Sequence, residues 1–110
     1  MPPESQSQPN LEPIENLDPV VHAPARLMIL AYLAGVVSAD FTFLLNQTGL
    51  TRGNLSTHLS RIEEAGYVEV HKEFVDRIPR TLYHLTEEGR IAIRTYRENM
   101  RRVIDDLLTD

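Results

Sequence analysis

The chain contains no cysteine, which excludes disulfides, thiolate metal sites and cysteine nucleophiles. No apolar run approaches the roughly 18 residues that cross a bilayer, so no membrane partner is expected. The amino-terminal MPPESQSQPN has neither a basic start nor an apolar stretch and does not read as a secretory signal, which leaves the cytoplasm as the expected location. Glycine-rich phosphate loops are missing, as are H-x-x-H and H-E-x-x-H spacings among the 4 histidines. His71 and His84 across a hairpin would supply two of about four zinc ligands, and no further partner is identified. Ser56 and His58 sit two apart on one helix and diverge, so they do not form a nucleophile and base pair. The chain therefore reads as a non-enzyme with no cofactor and no metal.

What is there is 110 residues, enough for one domain with one modest core. The formal charge of -5 argues against a nucleic-acid partner until it is resolved by segment. Residues 1–20 carry Glu4, Glu12, Glu15 and Asp18 with no base and hold most of the excess. Thr51 to Ile62 contains Arg52 and Arg61 and no acid; Arg77 to Leu85 contains Arg77 and Arg80 and no acid. Two local basic patches survive the acidic total.

Six of the 7 prolines fall in the first 24 residues among Ser, Gln, Asn and Glu, so residues 1–13 are expected to be a disordered acidic, Pro-rich tail and 14–110 the folded domain. Pro24 suits the first turn of a helix that Gly35 ends. That helix carries Leu27, Leu30, Ala31 and Ala34 on one face and Ile29 and Leu33 on another, as if it met both a core and a partner subunit. Ser38 is the expected cap of a second helix with Phe41, Leu44 and Leu45 inward, closed by a turn at Thr48-Gly49-Leu50. Thr51 caps a third helix, whose Leu55, Leu59 and Ile62 face the core before Ala65-Gly66 stops it. Period-two alternation through Val68, Val70 and Phe74, then Tyr83 and Leu85, predicts a two-stranded hairpin with Arg77 and Arg80 at its tip. Thr86 caps a long helix at about 87–108, in which Ile93, Tyr96, Met100, Val103 and Leu107 are spaced as a helix-pairing seam. The fold class is mainly α with a small β-hairpin: a winged helix-turn-helix with a C-terminal dimerisation helix.

In that plan the third helix is the reader. Its outer face is small and polar, so Gly53, Ser56 and Thr57 allow close approach to a major groove while Arg52 and Asn54 offer hydrogen bonds to bases or phosphates. Arg61 flanks that face, His58 lies at its core edge where it orients the helix or touches a phosphate, and Arg77 and Arg80 suit a minor groove or flanking phosphates.

The stretch Arg26 to Gly89, with LS-x-HL-x-x-I-E-E-A-G-Y followed by PRT-x-Y-x-LT-x-x-G, resembles winged-helix transcriptional regulators of the MarR/ArsR-like group. The resemblance implies a homodimer that binds double-stranded DNA at a pseudo-palindromic operator as a repressor, with Arg52, Asn54, Ser56, Thr57 and His58 in the recognition helix and Arg77 and Arg80 in the wing. Thiolate metal sensing, found among relatives of that group, is excluded by the missing cysteines. A small apolar effector has a candidate site beside Leu17, Val20, Tyr96 and Met100, residues that equally serve as plain packing. The competing reading is a winged-helix module that binds protein in a transcription or replication assembly, which the acidic total and the single lysine favour.

Overall fold

The computed structural model describes residues 10–108 and orders them as α1 (Glu12–Glu15), α2 (Pro24–Ala34), β1 (Ala39–Asp40), α3 (Phe41–Thr48), α4 (Arg52–Glu64), β2 (Val68–Val75), β3 (Ile78–Leu85) and α5 (Glu87–Leu108). Of the expected tail, residues 1–9 lie outside the described residues. Residues 10–13 are a correction to it: Asn10 Oδ1 accepts from the Glu12 amide at 3.1 Å, Pro13 is buried, and α1 packs along α5. No helix among the described residues is long and apolar enough to cross a membrane.

Ile29, Leu30 and Leu33 of α2 are buried and the helix packs on α3, α4 and β3. The first of its two apolar faces is covered only in part: Leu30 is buried, Leu27 is half-buried, and Ala31 and Ala34 are exposed. Leu44 from α3, Leu55, Leu59 and Ile62 from α4, Val68 and Leu85 complete a single core. Gly49 (φ 70) and Gly66 (φ 83) turn the chain in the left-handed region at the ends of α3 and α4, where a Cβ is disfavoured.

Two further corrections meet at one residue. Asp40, not Ser38, caps α3, its Oδ1 accepting from the Phe43 amide at 2.7 Å. Ser38 stands too far back because Ala39 and Asp40 pair with Tyr83 and Leu82 as a short strand. The sheet accordingly has three antiparallel strands in the order β1-β3-β2, not two.

The wing delivers the chain to α5 through a close crossing. Thr86 Oγ1 donates to the Gly66 carbonyl at 2.6 Å and accepts from the Gly89 amide at 3.0 Å. Gly89 is buried, and a Cβ there would lie 2.3 Å from the Tyr67 carbonyl oxygen. Nearby, the Tyr67 hydroxyl donates to Asp18; that bond, with burial second, pushes its pKa up to about 12. Two of the five residues of the expected seam are turned inward: Ile93 and Tyr96 pack against the domain's own core, Met100 and Val103 are half-buried, and Leu107 is 77% exposed.

The crossing makes Gly89→Ala an overpacking change against backbone, expected to cost about 1–3 kcal/mol. Gly35→Ala is the control, since its Cβ would sit 3.8 Å from the Tyr32 carbonyl in ordinary contact at φ -94, and should move stability by under about 1 kcal/mol. Urea unfolding compares the two; equal midpoints would refute the tight crossing.

Candidate nucleic-acid interface

The three buried residues of α4 fix which way the rest of the helix faces. With Leu55, Leu59 and Ile62 locked inward, Arg52, Gly53, Asn54, Ser56, Thr57, Ser60 and Arg61 are all exposed. Thr51 Oγ1 accepts from the Asn54 amide at 3.1 Å and starts the helix, while the Thr57 hydroxyl donates to the Gly53 carbonyl at 2.9 Å. The Arg52 guanidinium lies 5.8 Å from the Phe41 ring centroid, a cation–π contact that steadies a long side chain at the mouth of the helix. At Gly53 a Cβ would meet nothing within 4 Å. Packing therefore gives no reason for a residue that weakens a helix by about 0.5–1 kcal/mol relative to alanine.

His58 stands apart from this row. It is half-buried, with Nδ1 3.2 Å from Arg26 Nη1, and Arg26 also donates from Nε to the Val20 carbonyl at 2.6 Å and from Nη2 to the Pro19 carbonyl at 3.1 Å. The histidine is thereby linked through Arg26 at the start of α2 to the segment ahead of that helix.

β2 and β3 are joined by a two-residue turn, Asp76-Arg77, with both residues at positive φ (51 and 67). Such turns favour Asn-Gly or Asp-Gly, and holding a residue with a Cβ in the left-handed region costs roughly 1–2 kcal/mol. Arginine replaces the glycine here and puts a guanidinium at the apex. Arg80 is not at the tip, because the tight turn leaves it three residues down β3 opposite Glu73. Its Nε is 3.2 Å from Asp40 Oδ2 and its Nη1 3.8 Å from Glu73 Oε1. Arg80, Arg52, Pro79 and Thr42 line one cleft between the wing base and the starts of α3 and α4.

Lys72 is a residue that sequence reasoning counted but gave no role. It pairs with Thr81 and, with Ser56, Ser60 and Glu63, lines the groove between α4 and the wing. Its phase with Val70 on β2 was the available signal, since residues two apart share a face. Tyr83 lines the same groove, its pKa raised by burial first and by Glu63 second. On the opposite face His84 Nε2 sits 3.0 Å from Glu69 Oε2. Among the described residues no three His, Cys, Asp or Glu side chains are grouped to hold a metal.

A helix presented on a buried base beside a two-stranded wing, with a long helix behind, is also what comparison finds: residues 25–104 match the family described as winged helix DNA-binding domain. The chain belongs to that family. An uncharacterized protein of Methanocaldococcus jannaschii is 35% identical over 77 residues, 70% of this chain and 84% of that protein. A transcriptional regulator homologue from Pyrococcus horikoshii superposes on this winged helix domain with a TM-score of 0.79 at 31% identity, covering 89% of this chain and 99% of that one. BpsR of Bordetella bronchiseptica, whose DNA binding is regulated by 6-hydroxynicotinic acid, shares the fold at a TM-score of 0.65 and 13% identity over 87% of this chain and 73% of its own. The family is one of DNA-binding regulators, not of enzymes.

Asp40 gives this winged helix domain a test of its base. Asp40→Asn keeps an oxygen for the cap and removes the charge, and a partly exposed ion pair contributes under about 1 kcal/mol, so the loss should be small. Asp40→Ala removes the cap as well and should cost about 0.5–2 kcal/mol more. Coincident melting curves for the two variants would count against the cap.

Proposed function

We propose that the protein is a sequence-specific transcription regulator of the MarR/ArsR-like kind, a cytoplasmic homodimeric repressor that places α4 in the major groove of a pseudo-palindromic operator. The observation that carries this reading is the acid-free exposed row from Arg52 to Arg61, interrupted by a glycine for which packing gives no reason. In it Arg52 and Asn54 read base edges, Ser56 and Thr57 fit the groove wall, Arg61 and Lys72 meet phosphates, and Arg77 reaches from the wing. Arg80 contributes chiefly by bracing the wing against α3.

Dimerisation follows from α5, which at 22 residues is about 33 Å long and carries its apolar stripe past the body of the domain. Ile104 is 46% and Leu107 77% exposed, and Leu11 and Ile14 of the α1 region are about half exposed, surfaces that a second copy covers. A pair also meets the requirement for two readers about 34–36 Å apart. A cleft of about 550 Å³ between the α1 region and α5, with Leu17, Tyr67, Ile91 and Tyr96 on its walls, supports a small apolar effector, as does the ligand-regulated BpsR. Of the four residues expected around an effector, Leu17 and Tyr96 line this cleft and Val20 and Met100 do not.

The deciding experiment is a gel shift at low salt on the DNA upstream of the protein's own gene. Arg52→Ala and Asn54→Ala should each weaken binding by about 1–3 kcal/mol at unchanged stability. Gly53→Ala should weaken binding while stability holds or rises by up to about 1 kcal/mol. Full-strength binding by all three variants would remove α4 from the interface, and no binding by the unaltered protein would favour the protein-binding module. Val103→Glu with Leu107→Glu should yield a monomer by light scattering, and a persistent dimer would move the interface off α5. These positions are chosen because Tyr96 and Asn99, the latter donating to the Asn16 carbonyl at 3.4 Å, belong to the domain's own packing.

A further inference from the structure

The cleft between the α1 region and α5 is apolar along its middle and acidic at both ends. Leu17, Ala92 and Tyr96 line the middle. At one end the Tyr67 hydroxyl donates to Asp18, and the pKa of Tyr67, raised first by that bond and next by burial, is raised further by the charges of Asp18 and Glu88. At the other end Asn99 Nδ2 donates to the carbonyl of Asn16, the neighbour of Glu15. Glu88 and Asn99 stand about three turns apart on α5, so the two ends are separated by about 16 Å. Among the described residues no lysine, arginine or histidine lines the cleft, and Glu15 and Glu88 enter no ion pair. Arg26 meets one lining residue, Pro19, at its carbonyl and is not itself on the wall.

Asn99 adds an observation independent of the acids. It is 8% exposed, and its Oδ1 accepts from no group among the described residues. No fully buried side-chain polar atom among them lacks a partner, so this oxygen reaches solvent, and the cleft that Asn99 lines is where it does so. The unspent polar groups at the two ends, Glu88 at one and Glu15 with Asn99 Oδ1 at the other, are acceptors. An ammonium group is their complement, with three donors, a positive charge and no acceptor. A carboxylate would bring like charge and offer no donor. Asp18 is already engaged by the Tyr67 hydroxyl and the Val20 amide and supplies charge alone. Resting on the effector reading above, we propose that this cleft takes a two-ended organic cation: an apolar chain along Leu17 and Tyr96 that carries one ammonium to Glu88 and another to Glu15 and Asn99.

The probe is octamethylenediamine, whose nitrogens stand about 11 Å apart when extended, so that with a hydrogen bond of about 3 Å at each end it spans the cleft. Calorimetry on the full chain compares it with octylamine, which has one ammonium, putrescine, which is too short to reach both ends, and suberate, which carries a carboxylate at each end. The diamine should bind at least about tenfold more tightly than octylamine or putrescine, and suberate should not bind. Glu88→Gln and Glu15→Gln should each bring the diamine down to the octylamine level at an unchanged melting temperature, because both side chains are exposed. In a gel shift the diamine should change the DNA affinity of the unaltered protein more than that of Glu88→Gln, a comparison that corrects for its screening of phosphates. Equal binding of octylamine and the diamine, or glutamine variants that bind as before, would overturn the two-ended cation and leave an apolar effector standing. Preference for suberate would overturn the sign of the charge. Diamine binding that leaves DNA affinity unchanged would overturn the regulatory role. No binding by any of the four ligands at about 10 mM removes the effector reading and this proposal together and leaves the DNA reading untouched.

Discussion

The backbone of α5 crosses the start of the wing at Gly89 more closely than any side chain permits, and the relative placement of every working part depends on that crossing. The Tyr67 carbonyl accepts from the Thr86 amide at 3.0 Å, and the Tyr67 amide donates to the Ile62 carbonyl at 3.1 Å. The end of α4, the first residue of the wing and the start of α5 are therefore joined by main-chain hydrogen bonds, with Thr86 Oγ1 bridging Gly66 and Gly89. Main-chain geometry is stiff, because few torsions lie between the bonded groups. Such stiffness fixes the direction of α4 relative to α5 and the wing. The G-Y and LT-x-x-G motifs, read at first as a family likeness, have this crossing as their physical reason.

Two side-chain hubs extend the frame. Arg26 binds two carbonyls and His58, holding the segment before α2 against the reader. Asp40 uses one oxygen to cap α3 and the other to hold Arg80, so a single carboxylate couples the helix-turn-helix to the wing. Each hub joins elements far apart in sequence, and such bonds accumulate only after the core has brought the elements together. Asp40 is also the last residue of β1, whose pairing with β3 keeps the wing base from swinging.

What the sequence made legible followed from periodicity and caps. Leu55, Leu59 and Ile62 recur at helical spacing, Thr51 and Thr86 are hydroxyl caps, and Gly49 and Gly66 mark left-handed turns; each is a local signal that local physics honours. The misses were set by tertiary contact. β1 is two residues long and has no alternation to read, so it exists only because β3 offers an edge, and its pairing moved the cap from Ser38 to Asp40. α1 hides in a proline-rich stretch that composition assigns to disorder, and burial of Pro13 beside α5 orders it. The 3, 4, 3, 4 spacing along α5 identified one apolar stripe but could not divide it between the domain's own core and the surface beyond Met100. Alternation does not fix the length of a turn, and the two-residue turn at Asp76-Arg77 leaves Arg80 down β3 within reach of Asp40.

Charge separates two ways of holding DNA. Of the bases on the reader and the wing, Arg80 is matched by Asp40 and Glu73, whereas Arg52, Arg61, Lys72 and Arg77 enter no ion pair among the described residues. Four such cations are few for a protein that gains affinity by releasing counterions from phosphates. Contact area must then come from elsewhere, and this surface offers small residues along α4 and apolar side chains at the end of the wing. Small residues let a helix sit deep in a groove, and close fit gains area without adding charge. An acidic chain that relied on cations alone would lose most of its grip as salt rises; one that gains area by close fit keeps more of it. The acidic total and the DNA-binding fold are reconciled in this way: Glu69 and Glu73 lie on the sheet face away from the groove, Glu63 and Glu64 close the distal end of α4, and Asp76 shares the wing turn with Arg77.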